Sequence, residues 1–187
     1  ENGSGNLRPI NSCLVRLGQV MGDNVTTIEG VGSDKNPHPL QIAFTNEHAS
    51  QCGYCTPGFI MSGVSLLNSN KKITDDTIND AISGNLCRCT GYSPIIKAIK
   101  SVTKPKITQN NNQSIKKNKN ITIGNVTYLK PFNLKELKNY LDEIKNFEFL
   151  AGGTDLNLQR PIINQKEDKV ICLGSIVELN KITHLKE

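Results

Sequence analysis

No stretch of this chain approaches the roughly 18 apolar residues that a membrane-spanning helix needs, and its first 30 residues lack the charged start and apolar block of a secretory leader. These absences predict a soluble, cytoplasmic chain with no membrane partner. Aromatic residues are scarce, five Phe and four Tyr in 187 residues, so there is material for one or two modest cores. At about 150 residues per domain, that length excludes a large multidomain machine. Acidic residues are missing from positions 97–119, where seven lysines stand: Lys97, Lys100, Lys104, Lys106, Lys116, Lys117 and Lys119. The remainder holds 15 basic against 17 acidic residues, so the formal charge of +5 belongs to one segment and the folded parts are nearly neutral. Five glycosylation sequons, at Asn2, Asn24, Asn112, Asn120 and Asn125, carry no weight in a chain with 22 asparagines. Because the chain opens on Glu1 and stops at Glu187 inside an α/β texture, it is expected to be a fragment.

Local signals divide the chain into zones. From Cys13 to Thr27 the pattern suits two short strands around a turn at Gly22. Helix signals then dominate to about residue 102. Pro39 opens a segment ending near His48, and Thr56-Pro57 reads as an N-cap followed by proline at the first helical position. Thr74-Asp75-Asp76 caps a helix through Ser83, and Ser93-Pro94 starts one carrying Ile95, Ile96, Ile99 and Val102. Residues 103–125 turn to Lys, Asn, Gln, Ser and Thr and read as a linker. Strand, helix and strand signals return at Val126 to Leu129, Leu134 to Ile144 and Phe147 to Leu150, followed by a Gly-Gly turn and a strand at Val170 to Leu173.

Four of the six cysteines form two tight pairs, Cys52-x-x-Cys55 and Cys87-x-Cys89, separated by 31 residues. A metal or cluster needs several thiolates within a few ångströms, and each pair supplies two from one loop. Glycines flank both pairs (Gly53, Gly58, Gly84, Gly91), and each pair shortly precedes a helix start, where N–H groups and the helix dipole favour thiolate over thiol. On residues alone four readings stand: an iron-sulfur cluster, structural zinc, disulfides or redox thiols, and unrelated core cysteines. The Cys-x-Cys pair tilts the balance away from zinc.

Gln51-Cys-Gly-Tyr-Cys-Thr-Pro-Gly-Phe59 and Gly84-Asn-Leu-Cys-Arg-Cys-Thr-Gly-Tyr92 resemble the signature of the molybdenum hydroxylases, the family of xanthine dehydrogenase, aldehyde oxidase and carbon monoxide dehydrogenase. The resemblance implies a four-helix domain that holds a [2Fe-2S] cluster on Cys52, Cys55, Cys87 and Cys89. It also places Gln51 and the Cys89 loop against a molybdopterin. Asn11-Ser-Cys-Leu14 with Thr26-Thr-Ile-Glu-Gly30 is similar to the end of a plant-type ferredoxin domain, in which Cys13 would be the last of four ligands to a second cluster; the other three have no counterpart here.

Phe149-Leu-Ala-Gly-Gly-Thr-Asp-Leu156 resembles the flavin pyrophosphate loop of the family's PCMH-type FAD domain, with Leu150, Ala151, Gly152, Gly153, Thr154, Asp155 and Leu156 as the implied binding residues. Two glycines let N–H groups approach phosphate, and Thr154 adds a hydroxyl. Alone, this Gly-Gly-Thr-Asp run would be an ordinary tight turn; its place after the cysteine zone makes it a flavin candidate.

The implied fold class is α+β: the end of a ferredoxin-like β domain (1–33), a four-helix [2Fe-2S]-binding domain (34–103), a linker (104–125) and the start of an α/β FAD-binding domain (126–187). The fusion is similar to the iron-sulfur/FAD small chain of bacterial two-subunit xanthine dehydrogenases. It implies an electron relay in purine catabolism, from a molybdopterin-binding large subunit in a hetero-oligomer, through [2Fe-2S], to FAD and on to NAD. The alternatives are the corresponding chain of aldehyde oxidase or another molybdenum hydroxylase and, from a different class, a zinc-stabilised binding module with the lysines as a nucleic-acid patch. No aromatic interrupts those lysines between Tyr92 and Tyr128, which favours a solvated linker and no nucleic acid. Simpler readings stand beside several residues. Gln51 also reads as a loop-capping amide, Arg88 as a solvated arginine or an offset to cluster charge, and Cys172 as a buried small hydrophobe. His38, His48 and His184 read as structural.

Overall fold

The structure, a computed structural model, describes residues 7–102, 120–159 and 168–182. Helix and sheet segregate along the chain, giving a mixed α and β architecture in two compact units. One gathers residues 7–9 with 25–102, the other 10–24 with 120–159 and 168–182. The expected hairpin over Cys13 to Thr27 is absent. In its place stand a 3-10 turn Ser12–Leu14, a one-turn helix α1 (Leu17–Val20) and a 3-10 turn Ile28–Gly30. An isolated pair of four-residue strands buries too little to persist, whereas α1 has a partner within its own unit. The Tyr128 ring occupies the place where a side chain at Gly18 would begin.

The helical unit is built from α2 (Pro39–Asn46), α3 (Thr56–Asn68), α4 (Asp75–Ile82) and α5 (Ser93–Ser101). The longest, α3, buries Phe59, Ile60, Gly63, Val64, Leu66 and Leu67, a recurrence at three and four residues that gives one apolar face. That face meets Leu40 of α2, Ile78 of α4 and Ile95 and Ile99 of α5, all fully buried. Thr74 caps α4, its hydroxyl accepting from the Thr77 N–H at 3.2 Å. Two starts lie one residue earlier than the cap signals predicted. Cys55, not Thr56, is the N-cap of α3, and Tyr92, not Ser93, that of α5, so both prolines sit at the second helical position. In each case the loop before the helix, not the hydroxyl residue, sets where the helix begins.

The sheet unit holds β1 (Asn120–Ile123), β2 (Val126–Leu129), β3 (Glu148–Leu150) and β4 (Asp168–Cys172) in the order β1-β2-β4-β3. β1 and β2 pair antiparallel, and β4 pairs parallel with both β2 and β3. Strand β1 falls in residues assigned to the linker: Ile121 and Ile123 alternate with polar neighbours and pair with Tyr128 and Val126. Between β2 and β3 runs α6 (Leu134–Glu143), capped by Asn133, whose side chain accepts from the Glu136 N–H at 2.8 Å. Val126, Tyr128, Leu150, Val170 and Cys172 form the core. Lys130 is buried, and its ammonium donates to the carbonyls of Gln19 at 2.8 Å and Met21 at 2.7 Å, tying residues 10–24 into this unit. A buried ammonium is tolerated only with such acceptors. Among the described residues, no helix is long and apolar enough to cross a membrane.

Candidate metal centre

Both cysteine pairs lie in loops of the helical unit. The first loop, residues 47–55, joins α2 to α3. Gly53 takes φ +82°, which folds the loop back so that Cys55 caps α3. A hydrogen bond of 2.8 Å between the Ser50 and Thr56 hydroxyls spans it. The second loop, residues 83–92, joins α4 to α5 and is fastened to α3, where the Ser62 hydroxyl donates to Asn85 Oδ1 at 2.8 Å. Asn85 comes so near α3 that a Cβ at Gly58 would stand 2.9 Å from its side-chain nitrogen, so a larger residue there would push that amide aside.

These constraints bring the thiols together across the loops, not within them. The Cys89 thiol donates to Cys52 Sγ at 3.7 Å, and both side chains are exposed. Cys55 and Cys87, half-buried against the core, lie near enough to each other to perturb one another's thiols. Two sulfurs on one tetrahedral metal with bonds of about 2.3 Å lie about 3.8 Å apart, so the Cys52–Cys89 spacing suits a shared metal. Among the described residues no three His, Cys, Asp or Glu side chains converge on one point. The thiols meet two by two, an arrangement suited to a binuclear cluster with two thiolates per iron.

The electrostatics differ between the pairs. Thr90, through its hydroxyl 3.2 Å from Cys87 Sγ and then its backbone N–H, lowers the Cys87 thiol to about 7. Burial, and next the hydrogen bond with Cys87, pushes Cys55 up to about 11. Without a metal, Cys87 therefore becomes thiolate before Cys55. Cys89 is raised chiefly by its hydrogen bond to Cys52.

Behind Cys87 the chain closes a small ring of bonds. The Cys87 N–H donates to Tyr92 Oη at 3.0 Å, and the Tyr92 N–H donates to Thr90 Oγ1 at 3.3 Å. Tyr92 adopts φ +69°, uncommon for a non-glycine residue, and its ring packs edge-on against Phe59 with centroids 6.0 Å apart. Thr90, Tyr92 and Asn85 all stand within the quoted motif, yet sequence reasoning gave them no role; the only signal was their adjacency to Cys87 and Cys89.

Gln51 and Arg88 are exposed beside the ligand candidates. Tyr54 and Leu86, the apolar residues of the two loops, are 94% and 81% exposed. His48 lines an open cleft of about 420 Å³ with Ser50 and Thr56. His38 is buried, its Nδ1 accepting from the Leu40 N–H at 3.1 Å. His184 lies outside the described residues.

The remaining candidates belong to the sheet unit. Cys13 is exposed in the turn Ser12–Leu14, and Cys172 is buried in β4 with its thiol raised to about 11 by burial. The Gly-Gly run joins β3 to a one-turn helix α7 (Leu156–Gln159). Leu150 is buried at its start and Leu156 half-buried at its end, while Ala151, Gly152, Thr154 and Asp155 are exposed. Gly153 has φ +78°, and around Gly152 the space is open. Gln19 Nε2 donates to the Ala151 carbonyl at 3.3 Å, and Arg16 to that of Leu156 at 3.4 Å.

Residues 27–100 match a family described as the [2Fe-2S] binding domain. The chain is similar to a xanthine dehydrogenase of Emericella nidulans, 47% identical over 96 residues, covering 51% of this chain and 7% of that protein. It is equally similar to an aldehyde oxidase of Homo sapiens, 47% identical over 97 residues, with the same 51% and 7% coverage. Among solved structures, quinoline 2-oxidoreductase from Pseudomonas putida 86 matches at 43% identity, 40% of this chain and 46% of that one, with a TM-score of 0.38. The chain thus spans less than a tenth of the length of these curated relatives.

Proposed function

We propose that residues 27–100, which match the [2Fe-2S] binding domain, are the iron-sulfur, electron-transfer domain of a molybdenum hydroxylase, and that this chain is the relay of a xanthine dehydrogenase-type oxidoreductase. It takes electrons from a molybdopterin-bearing partner subunit in a hetero-oligomer and passes them to FAD and on to NAD. The observation that carries the reading is the cross-loop meeting of Cys52 with Cys89 and of Cys55 with Cys87. When bound, the [2Fe-2S] cluster supplies a one-electron carrier without proton chemistry of its own. The chain holds its thiolates in place through the Gly53 turn, the Asn85 tie and the Thr90 hydroxyl. Gln51, Tyr54, Leu86 and Arg88, each exposed and next to a proposed ligand in sequence, would be available to the partner.

The loop Leu150–Leu156 would take the flavin pyrophosphate: it offers open space at Gly152, a left-handed turn at Gly153 and the Thr154 hydroxyl. Cys13, in the other unit, would ligate a second cluster only together with cysteines that this chain does not carry. The equal identity to a xanthine dehydrogenase and an aldehyde oxidase keeps both substrate classes open, because the matched region binds the carrier and not the substrate. Reconstitution of the full chain with iron and sulfide tests the proposal. Two irons and two acid-labile sulfides per chain support it, and one zinc without sulfide overturns it.

A further inference from the structure

Thr90 does more than fill a position between two loops. Its hydroxyl oxygen accepts the Tyr92 N–H at 3.3 Å and lies 3.2 Å from Cys87 Sγ. With one lone pair taken by that N–H, the hydroxyl proton is free to point at the sulfur. A metal-bound thiolate has no proton to give, so in the ligated state the hydroxyl must be the donor. The direction is fixed from behind, because Tyr92 is held at both ends: its Oη receives the Cys87 N–H at 3.0 Å and its ring packs on fully buried Phe59. This anchoring stabilises Tyr92 at φ +69°, and that backbone conformation aims its N–H back at Thr90.

We propose that Thr90 is a positioning residue that tunes the carrier, its hydroxyl donating to the Cys87 sulfur and raising the reduction potential of the cluster. The proposal rests on the reading of Cys87 as a cluster ligand. Reduction adds one electron and therefore negative charge to the iron and its sulfurs. A fixed O–H dipole aimed at one of those sulfurs stabilises the reduced form more than the oxidised form. The hydroxyl keeps its proton in both states, so no proton accompanies the electron. Removing a group that hydrogen-bonds a metal ligand typically costs about tenfold or more in metal affinity or activity. Consequently the chain's place in an electron path is set by a residue that never touches iron.

The test uses the full chain reconstituted with iron and sulfide, titrated with dithionite and followed by EPR of the reduced cluster. Thr90→Val should lower the ratio of reduced to oxidised cluster about tenfold at a fixed applied potential, a downward midpoint shift of about 59 mV for one electron. Thr90→Ser, which keeps the hydroxyl, should retain the wild-type midpoint. A Thr90→Val midpoint equal to wild type overturns the proposal. Should that variant not take up cluster, the wild type decides alone. After brief exposure to D2O, pulsed EPR should detect a fast-exchanging deuteron coupled to the reduced cluster, and its absence overturns the proposal. Failure of the wild type itself to bind iron and sulfide would instead refute the functional reading above.

Discussion

Two glycine-bearing loops of this molecule, one after α4 and one after β3, are held in opposite ways. The loop of Cys87 and Cys89 is fastened from several sides, to α3 through Ser62 and Asn85 and to itself through Cys87, Thr90 and Tyr92. The loop of Gly152 and Gly153 is open, with exposed residues and a side-chain bond from Gln19 to the Ala151 carbonyl. The metal ligands proposed for the first loop would have to stand at bonding distance, which a loop tied in this way provides before loading. The phosphate-binding role proposed for the second would need exposed backbone N–H groups and room for the ligand. The difference teaches that the cysteine loop is braced against its unit's core through Cys87 and Tyr92, while the glycine loop stands open on its own.

The largest break in that comparison comes from a ligand. Cys89→Ala in the full chain should abolish iron and sulfide retention and also lower helical circular dichroism on heating, because the cluster joins the loops before α3 and α5. An unchanged melt in the colourless variant would show that the bundle stands without it. Next in size, Phe59→Ala removes a fully buried ring that supports Tyr92 and should cost about 3–5 kcal/mol in urea unfolding.

The same small change at both loops sharpens the contrast. Gly58→Ala pushes the Asn85 amide away from its bond to Ser62 and should cost about 0.5–1.5 kcal/mol, the value of one hydrogen bond, whereas Gly152→Ala enters open space and should stay within about 0.5 kcal/mol. Equal losses in chemical denaturation would erase the distinction drawn here.

The smallest effect is in pH. Burial lowers the pKa of His38 from 6.5, so the unfolded chain binds its proton first. The stability His38 contributes is present above pH 6.5 and is lost as pH falls through its lower folded value. His38→Asn keeps a side-chain cap for α2 and should flatten the melting temperature between pH 8 and pH 5, measured against wild type.

Much of this was legible in the sequence where chemistry is local. Thr74 capped α4 as read, and the apolar run at Val126 to Leu129 became β2 because its pattern suffices to bury one face. The one-residue offsets at Thr56 and Ser93 arose because Cys55 and Tyr92 take their conformations from the loops, which no propensity encodes. Spacing grouped the thiols as Cys52 with Cys55 and Cys87 with Cys89. The fold exchanges partners, since only tertiary packing brings Cys52 to Cys89. Thr90 stayed invisible for the same reason, its role depending on a left-handed residue two positions on. The hairpin misreading at Cys13 to Thr27 followed from treating alternation as sufficient when the partner, Tyr128, lies far along the chain.

The clasp made by Lys130 sets an order of assembly. Its bonds to Gln19 and Met21 close 111 and 109 residues of chain, and residues 25–102 of the helical unit lie within that interval. On a ribosome adding about 5–20 residues per second, the early segment waits roughly 5–20 s for Lys130 to emerge. The helical unit, almost contiguous in sequence, has no such wait. Its cysteine loops can gather while the sheet unit still lacks half its strands, so the timing of synthesis lets the helical unit fold first.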